Sequence, residues 1–308
     1  MHVDLLLSVA GLIVGVLVGL TGMGGGALMT PILVLLFNTN PATAVSSDLV
    51  TSLFMKPVGG AVHWRAATVH KQIVKWLLIP AAPAAFAGVF VLNALGNGQT
   101  LQDRIKLGLG VALLLAFASM VLRELIHRGE TEGDGLDTPV RRLPTVIVGL
   151  LGGLVVGMTS VGSGSMIIVA LMWLYPRVSN RVLVGTNLVQ AVPLVGAAAL
   201  GHVFFGHVSF DTTTSLLIGA LPGVFIGAQI SSRTTTNWLR PVLAAVLLAS
   251  ALKLLDAPST ITGVAAAVAC VVLLALPAIM RRLGFGVPKS APETAARETE
   301  PRAHLSEV

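Results

Sequence analysis

The sequence predicts an all-α protein that crosses a membrane several times. Its mean hydropathy is +0.86 and only 11% of its 308 residues are charged, which is far too apolar for a soluble chain of this length. Uncharged runs of at least 18 residues recur along almost the whole chain, and such runs are long enough to cross a bilayer as helices. A glycine-rich block occurs once in each half, which predicts two related repeats.

Each glycine block lies inside an uncharged stretch of 33 residues, 5–37 in the first half and 143–175 in the second. The block GLTGMGGGALMTP of the first stretch corresponds to GMTSVGSGSMIIV in the second. As continuous helix, each stretch would extend roughly 50 Å against a hydrocarbon core of roughly 30 Å. This length is too great for one ordinary crossing and too short for two. We therefore expect each stretch to form a helical hairpin with the glycine block at its bend.

The repeat extends beyond the glycine blocks at a displacement of 138 or 139 positions, which aligns Asp48 with Asn187 and His63 with His202. It predicts a first transmembrane repeat at 5–126 and a second at 143–255. Besides its hairpin, each repeat has three predicted transmembrane helices, at 43–63, 72–94 and 104–126 and at 181–203, 210–231 and 238–255. The remaining predicted segments are a hydrophilic linker at 127–142, an extra transmembrane helix within 256–283 and a disordered tail at 284–308.

The positions of the basic residues predict the orientation. Nineteen of the 20 Lys and Arg residues lie outside the predicted helical crossings. If each glycine stretch crossed the membrane once, these residues would divide eleven to eight between the two sides. If each stretch returns to the side it came from, the division is sixteen to three, and only Arg104, Lys106 and Lys253 face outward. The positive-inside rule favours the second arrangement. The first half then crosses three times, so the second half is inverted, and the linker and the C-terminus are cytoplasmic.

Composition and motifs argue against several other classes of protein. The basic residues lie in short loops between apolar segments, so the isoelectric point near 10 does not indicate a nucleic-acid partner. Cys270 is the only cysteine, which excludes a disulfide framework and a thiolate metal site. The first apolar stretch lacks the basic segment of a cleavable signal peptide. Without an HExxH motif, a paired acidic motif or a GxSxG motif beside a plausible base, we expect no enzyme, no metal and no cofactor.

The glycine bends predict a binding site for an anion. The first N–H groups of a helix have no internal partner and carry the positive end of the helix dipole, and glycine lets a ligand approach them closely. Two bends that reach the membrane midplane from opposite faces would form a cradle of such groups. The candidate glycines are Gly22, Gly24, Gly25, Gly26, Gly162 and Gly164, and the candidate hydroxyl donors are Thr21, Thr159, Ser160, Ser163 and Ser165. The alternative is that the glycines serve close helix packing.

The helix after each hairpin carries the other polar candidates. In the first half, one face presents Ser47, Asp48, Thr51, Ser52 and Lys56; in the second half the matching residues are Thr186, Asn187 and Gln190. Because ionisable groups inside a membrane are costly, Lys56 is a candidate counter-charge for an anion and Asp48 a candidate for proton coupling. The alternatives are that Asp48 caps its helix or pairs with Lys56, and that Lys56 extends toward the membrane surface. For His63 and His202, packing at the membrane interface is favoured over proton transfer.

The glycine blocks, the polar segments SSDLVTS and GTNLVQ, and the histidine-to-valine elements 63–69 and 202–208 together resemble the TauE/SafE family of sulfite and sulfonate exporters. The resemblance covers residues 5–255. It implies secondary transport of small anions such as sulfite, sulfonates or other organic acids across the cell inner membrane. The chain departs from the family in carrying Asp48 and Lys56 within the first polar helix. A transporter of non-sulfur organic acids and a non-transport membrane assembly protein remain as alternatives, and a homo-oligomer stays open.

Overall fold

The computed structural model describes residues 4–21, 25–65, 68–94, 98–125, 134–206, 208–231 and 239–282. Within these ranges the chain forms helices and no strand. The helices of the first half are α1 (Leu5–Thr21), α2 (Gly26–Leu35), α3 (Pro41–Arg65), α4 (Lys71–Ala94) and α5 (Gly98–Leu125). Those that follow are α6 (Arg142–Thr159), α7 (Met166–Leu174), α8 (Asn180–Phe205), α9 (Phe210–Ser231), α10 (Leu239–Leu254) and α11 (Ser259–Arg282).

The helices are long and apolar enough for a polytopic membrane protein. Five of the described helices could cross a bilayer by length and composition, namely α4, α5, α6, α8 and α9. Helices α1, α2, α10 and α11 contain shorter apolar segments of 10–17 residues. Most observed bounds lie within two or three residues of the predicted ones. The largest difference is at α5, which begins at Gly98 rather than at residue 104, because its first turns contain the polar residues Gln99, Gln102 and Asp103, which hydropathy does not recognise as helical.

Both glycine stretches are interrupted helices. The first stretch consists of α1 and α2, and the second of α6 and α7, with the glycine blocks between them. In the second block the backbone is left-handed at Ser160 (φ 60°) and at Gly162 (φ 99°), which ends α6 and redirects the chain. Helix α2 runs antiparallel to α3, since Gly25 faces Ser52 while Thr30, one turn later, contacts Asp48.

Close glycine contacts join the first helix of each half to the other half. Helix α1 packs along α9 in the same direction, with Gly11 against Leu216 and Gly19 against Val224. Helix α6 packs along α4 in the same way, through contacts such as Gly157 against Ala85. A methyl group at any of these glycines would lie too close to a backbone carbonyl oxygen of the partner helix. Glycine is therefore required here for helices to approach each other.

The polar helices α3 and α8 pack against each other at the centre of the molecule. They run antiparallel, because Ser46 near the start of α3 contacts His202 near the end of α8, whereas Leu53 further along α3 faces Gly196. Helices α5 and α10 also pack together. This arrangement brings the polar faces of α3 and α8 next to both glycine blocks.

Candidate functional site

The two glycine blocks meet between α2 and the end of α6. Gly26, the first residue of α2, lies against Ser160, and a methyl group at Gly26 would overlap the Ser160 carbonyl oxygen. A small cavity lies beside this contact and is lined by Ala27, Ser160, Gly162, Ser163, Gly164, Ser165 and Leu247. The structure therefore brings most of the predicted second block together with the start of α2. Gly22 and Gly24 lie outside the described residues.

Two helix starts border the cavity. In α2 the N–H groups of Leu28 and Met29 donate to the Gly25 carbonyl, so the N–H groups of the two preceding residues have no acceptor within the helix. At α7 the N–H groups of Met166 and Ile167 donate to the Gly162 carbonyl, and the turn before them contains three small residues. Both helix starts direct the positive end of their dipole toward the meeting point of the blocks.

Lys56 extends from α3 to the second glycine block. Its side chain is 8% exposed, and its Nζ donates to the Ser163 Oγ at 2.6 Å. In the part of the chain that the structure describes, no carboxylate lies within ion-pair distance of this ammonium group. The hydrogen-bond partner of Lys56 is a neutral hydroxyl. At the edge of the cavity, no direct ion pair with a described residue therefore balances its positive charge. Among the described residues Lys56 forms no direct ion pair with Asp48, although the two charges still interact through space.

Asp48 is fully buried and joins two helices through hydroxyl groups. Its Oδ2 accepts a hydrogen bond from Thr30 Oγ1 at 2.7 Å, and its Oδ1 accepts one from Ser52 Oγ at 3.2 Å. The carboxyl group thus connects α2 and α3, and Ser160 at the end of α6 lies close to it. Thr30 was missing from the sequence prediction. Its position, one turn after the glycine block in an otherwise apolar segment, was the signal that could have identified it.

In α8, two of the three predicted residues are linked to the second glycine block. Asn187 Nδ2 donates to the Gly164 carbonyl oxygen at 3.1 Å, and Gln190 Nε2 donates to Asn187 Oδ1 at 3.1 Å. Thr186 is placed differently, because its Oγ1 accepts from the backbone N–H of His70, just before α4. Thr186 therefore positions the start of α4.

Several predicted hydroxyl donors are engaged within their own helices. Thr21 donates to Leu17 O at 2.7 Å, Thr159 to Val155 O at 2.7 Å, and Thr51 to Ser47 O at 2.8 Å. A hydroxyl group has one hydrogen, so these three cannot donate to a ligand while the helical bonds persist. Ser163 and Ser165 line the cavity. Ser47 Oγ is buried without a hydrogen-bond partner among the described residues.

His202 is buried, with 2% of its surface exposed. Its Nε2 lies 2.7 Å from the Gly157 carbonyl oxygen, and its Nδ1 lies 2.8 Å from Ser46 Oγ. These bonds connect α8 to α6 and α3, which supports a packing role. The side chain of His63 lies outside the described residues.

The chain matches the family model described as Sulfite exporter TauE/SafE over residues 7–254. It is 37% identical over 248 residues to the probable membrane transporter protein YjnA of Bacillus subtilis, covering 80% of this chain and 97% of that protein. A second Bacillus subtilis protein, the probable membrane transporter YdhB, is 24% identical over 77% of this chain and 96% of its own length. A probable membrane transporter of Methanocaldococcus jannaschii is 25% identical, over 79% and 91% respectively. No solved structure matches the chain.

These matches span nearly the whole helical part of the molecule, including both glycine blocks and both polar helices. The relatives are membrane transporters rather than enzymes. The chain belongs to the TauE/SafE family.

Proposed function

We propose that the chain is a secondary transporter, an exporter, of small anions such as sulfite, sulfonates and organosulfur acids. The anion binds near the membrane midplane, between the two glycine blocks. The observation that carries this proposal is the buried Lys56 ammonium, which donates to the Ser163 hydroxyl and has no carboxylate within ion-pair distance among the described residues. A buried charge is costly unless it is paired, so this group favours an anionic ligand.

The surroundings of Lys56 support an anion rather than a cation. The starts of α2 and α7 contribute N–H groups that have no acceptor within their own helix, and the positive ends of their dipoles. The Asp48 carboxylate would oppose an anion, but the hydroxyl groups of Thr30 and Ser52 donate to it and disperse its charge. A point charge such as Lys56 does not distinguish a sulfur oxyanion from a carboxylate, so non-sulfur organic acids are the second candidate substrates.

We further propose that the two halves are inverted repeats, at 5–126 and 143–255. Helices α3 and α8 occupy matching places in the halves, and their antiparallel packing supports the inversion. The first helix of each half packs on a helix of the other half, α1 on α9 and α6 on α4, which agrees with the same symmetry. In this arrangement the linker 127–142 and the tail 284–308 are cytoplasmic, and the C-terminal helix at 256–283 is an additional crossing of the inner membrane.

Single-cysteine labelling in a Cys270→Ala background tests this topology. We expect cysteines at His2 and Asn40 to react with an impermeant maleimide from the outside, because the first glycine stretch returns to the side where it begins. A cysteine at Arg177 should react only after the membrane is permeabilised. Opposite sidedness of His2 and Asn40 would contradict the hairpin.

Proton coupling is proposed at Asp48, because it is an intramembrane carboxylate whose repeat counterpart is the neutral Asn187. We expect Asp48→Asn to keep anion binding and to lose transport driven by a pH gradient in proteoliposomes. The control is Asp103→Asn, which neutralises an exposed carboxylate in α5. If Asp48→Asn transports the anion under a pH gradient as fast as the wild type does, Asp48 has a structural role only.

The transport function itself is tested by flux. Purified protein in proteoliposomes should move labelled sulfite, taurine, sulfoacetate or lactate down an imposed gradient, and empty liposomes provide the background. Binding of none of these anions, together with the absence of flux, would favour the alternative of a membrane assembly protein.

A further inference from the structure

Helices α4 and α6 begin at the same surface of the membrane. Gly149 faces Leu77, and Gly157, two turns later, faces Ala85, so the two helices run in the same direction with their first turns adjacent. Both helices are long and apolar enough to cross a bilayer. Their first turns therefore lie together where the hydrocarbon core meets the lipid headgroups.

Basic side chains are concentrated in these first turns. Lys71 and Lys75 are exposed at the start of α4, and Arg141 and Arg142 are exposed at the start of α6. Neither helix has an acidic residue in its first turn. Neither Arg141 nor Arg142 forms an ion pair with a carboxylate of the described residues. Because positive charge at a helix start opposes the helix dipole, these side chains gain from an anion at this surface.

One of these cations is held in place by an aromatic ring. The guanidinium carbon of Arg142 lies 5.0 Å from the centroid of the Trp76 ring, a cation–π contact between α6 and α4. Tryptophan favours the headgroup level of a membrane, because its ring is apolar and its N–H is polar. Further along the two helices, the apolar side chains of Ile79 and Leu150 are exposed. Positive charge therefore lies directly next to exposed apolar surface.

We propose that the starts of α4 and α6 form a binding site for an anionic phospholipid, whose phosphate group pairs with Arg142 and whose acyl chains cover Ile79 and Leu150. Arginine pairs well with phosphate, and basic surfaces between membrane helices suit anionic headgroups. A free phosphate ion would leave the apolar side chains uncovered. The positive-inside rule accounts for basic residues at this surface but not for the contact of Arg142 with Trp76. The site is separate from the glycine blocks, which lie at the opposite end of α6.

Native mass spectrometry of the full-length chain tests the site. The protein is released from detergent that contains equal amounts of phosphatidylglycerol and phosphatidylcholine with the same acyl chains. The first lipid retained should be phosphatidylglycerol, preferred by at least about fivefold, since one basic residue near an anionic headgroup contributes about that factor. Equal retention of the two lipids would overturn the proposal. Inorganic phosphate in molar excess should leave the preference unchanged, and displacement of the lipid by phosphate would also overturn it.

Arg142→Gln should lower the preference by about fivefold, and Arg141→Gln should lower it in the same direction. Arg181→Gln is the matched control, because Arg181 is exposed in the first turn of α8. Helix α8 begins at the same surface, since Thr186 contacts His70 just before α4. The control should keep the wild-type preference. An equal loss in Arg181→Gln would mean that diffuse surface charge selects the lipid, and an unchanged preference in both of the other variants would equally overturn the site. The melting temperature of each variant checks that it is folded.

Discussion

Lys56→Met is expected to weaken the binding of every anion by roughly ten- to a hundredfold. A hydrogen bond to a charged group contributes about 1.5–3 kcal/mol, and the methionine keeps the length and apolar stem of the side chain while removing the charge. The loss should be similar for sulfite, a sulfonate and a carboxylate, because a point charge discriminates poorly among them. It should also depend little on salt, since Lys56 is buried. Calorimetry on purified protein measures all three effects.

Lys75→Met is the matched control, because Lys75 is an exposed lysine in the first turns of α4. It should bind anions with the affinity of the wild type. The thermal stability of both variants checks that they are folded. Wild-type affinity in a folded Lys56→Met variant would mean that Lys56 serves only to hold Ser163, and that the anion binds elsewhere.

Gly26→Val is expected to lower anion affinity by at least about tenfold without preventing membrane insertion. The added Cβ would overlap the Ser160 carbonyl oxygen, which is backbone and cannot turn away. Helix α2 would therefore have to move off the end of α6 and separate the two glycine blocks. Overpacking of this kind costs about 1–3 kcal/mol, so a moderate fall in the melting temperature should accompany the loss of binding.

The matched control for this change is Gly108→Val in α5. A Cβ at Gly108 meets no atom within 4 Å, so the same substitution is made in another long apolar helix without a Cβ clash. Affinity and melting temperature should both stay close to the wild-type values. If Gly26→Val binds anions as well as Gly108→Val does, the contact between the glycine blocks is unnecessary for binding.

The sequence was sufficient to predict the helices because each apolar run is separated from the next by polar or glycine residues. The interrupted glycine stretches were also predictable, since their length fits neither one crossing nor two. Hydropathy could not predict which helices pack against each other. The partners of α1 and α6 lie in the opposite half, and this depends on which glycines face a backbone carbonyl, for example Gly11 against Leu216.

The candidate site was predicted in outline and differs in its contacts. The residue types around the glycine blocks follow from the chemistry of helix starts, but the partner of each side chain depends on the three-dimensional arrangement. The sequence left open whether Lys56 pairs with Asp48, and the hydrogen-bond partners that the fold supplies are Thr30 for Asp48 and Ser163 for Lys56. Likewise, the hydroxyl groups of Thr21 and Thr159 donate to carbonyl oxygens of their own helices.

The packing of α1 on α9 has a consequence for biosynthesis. Helix α1 is synthesised before α9, and the surface that fits its glycine face, around Leu216 to Val224, follows roughly 200 residues later. During translation, the glycine face of α1 therefore contacts lipid or temporary protein partners until α9 has been made. Helix α4 is likewise synthesised before its packing partner α6. Neither half can complete its packing before the other is made, so the final assembly of the two halves is delayed until α9 has been synthesised.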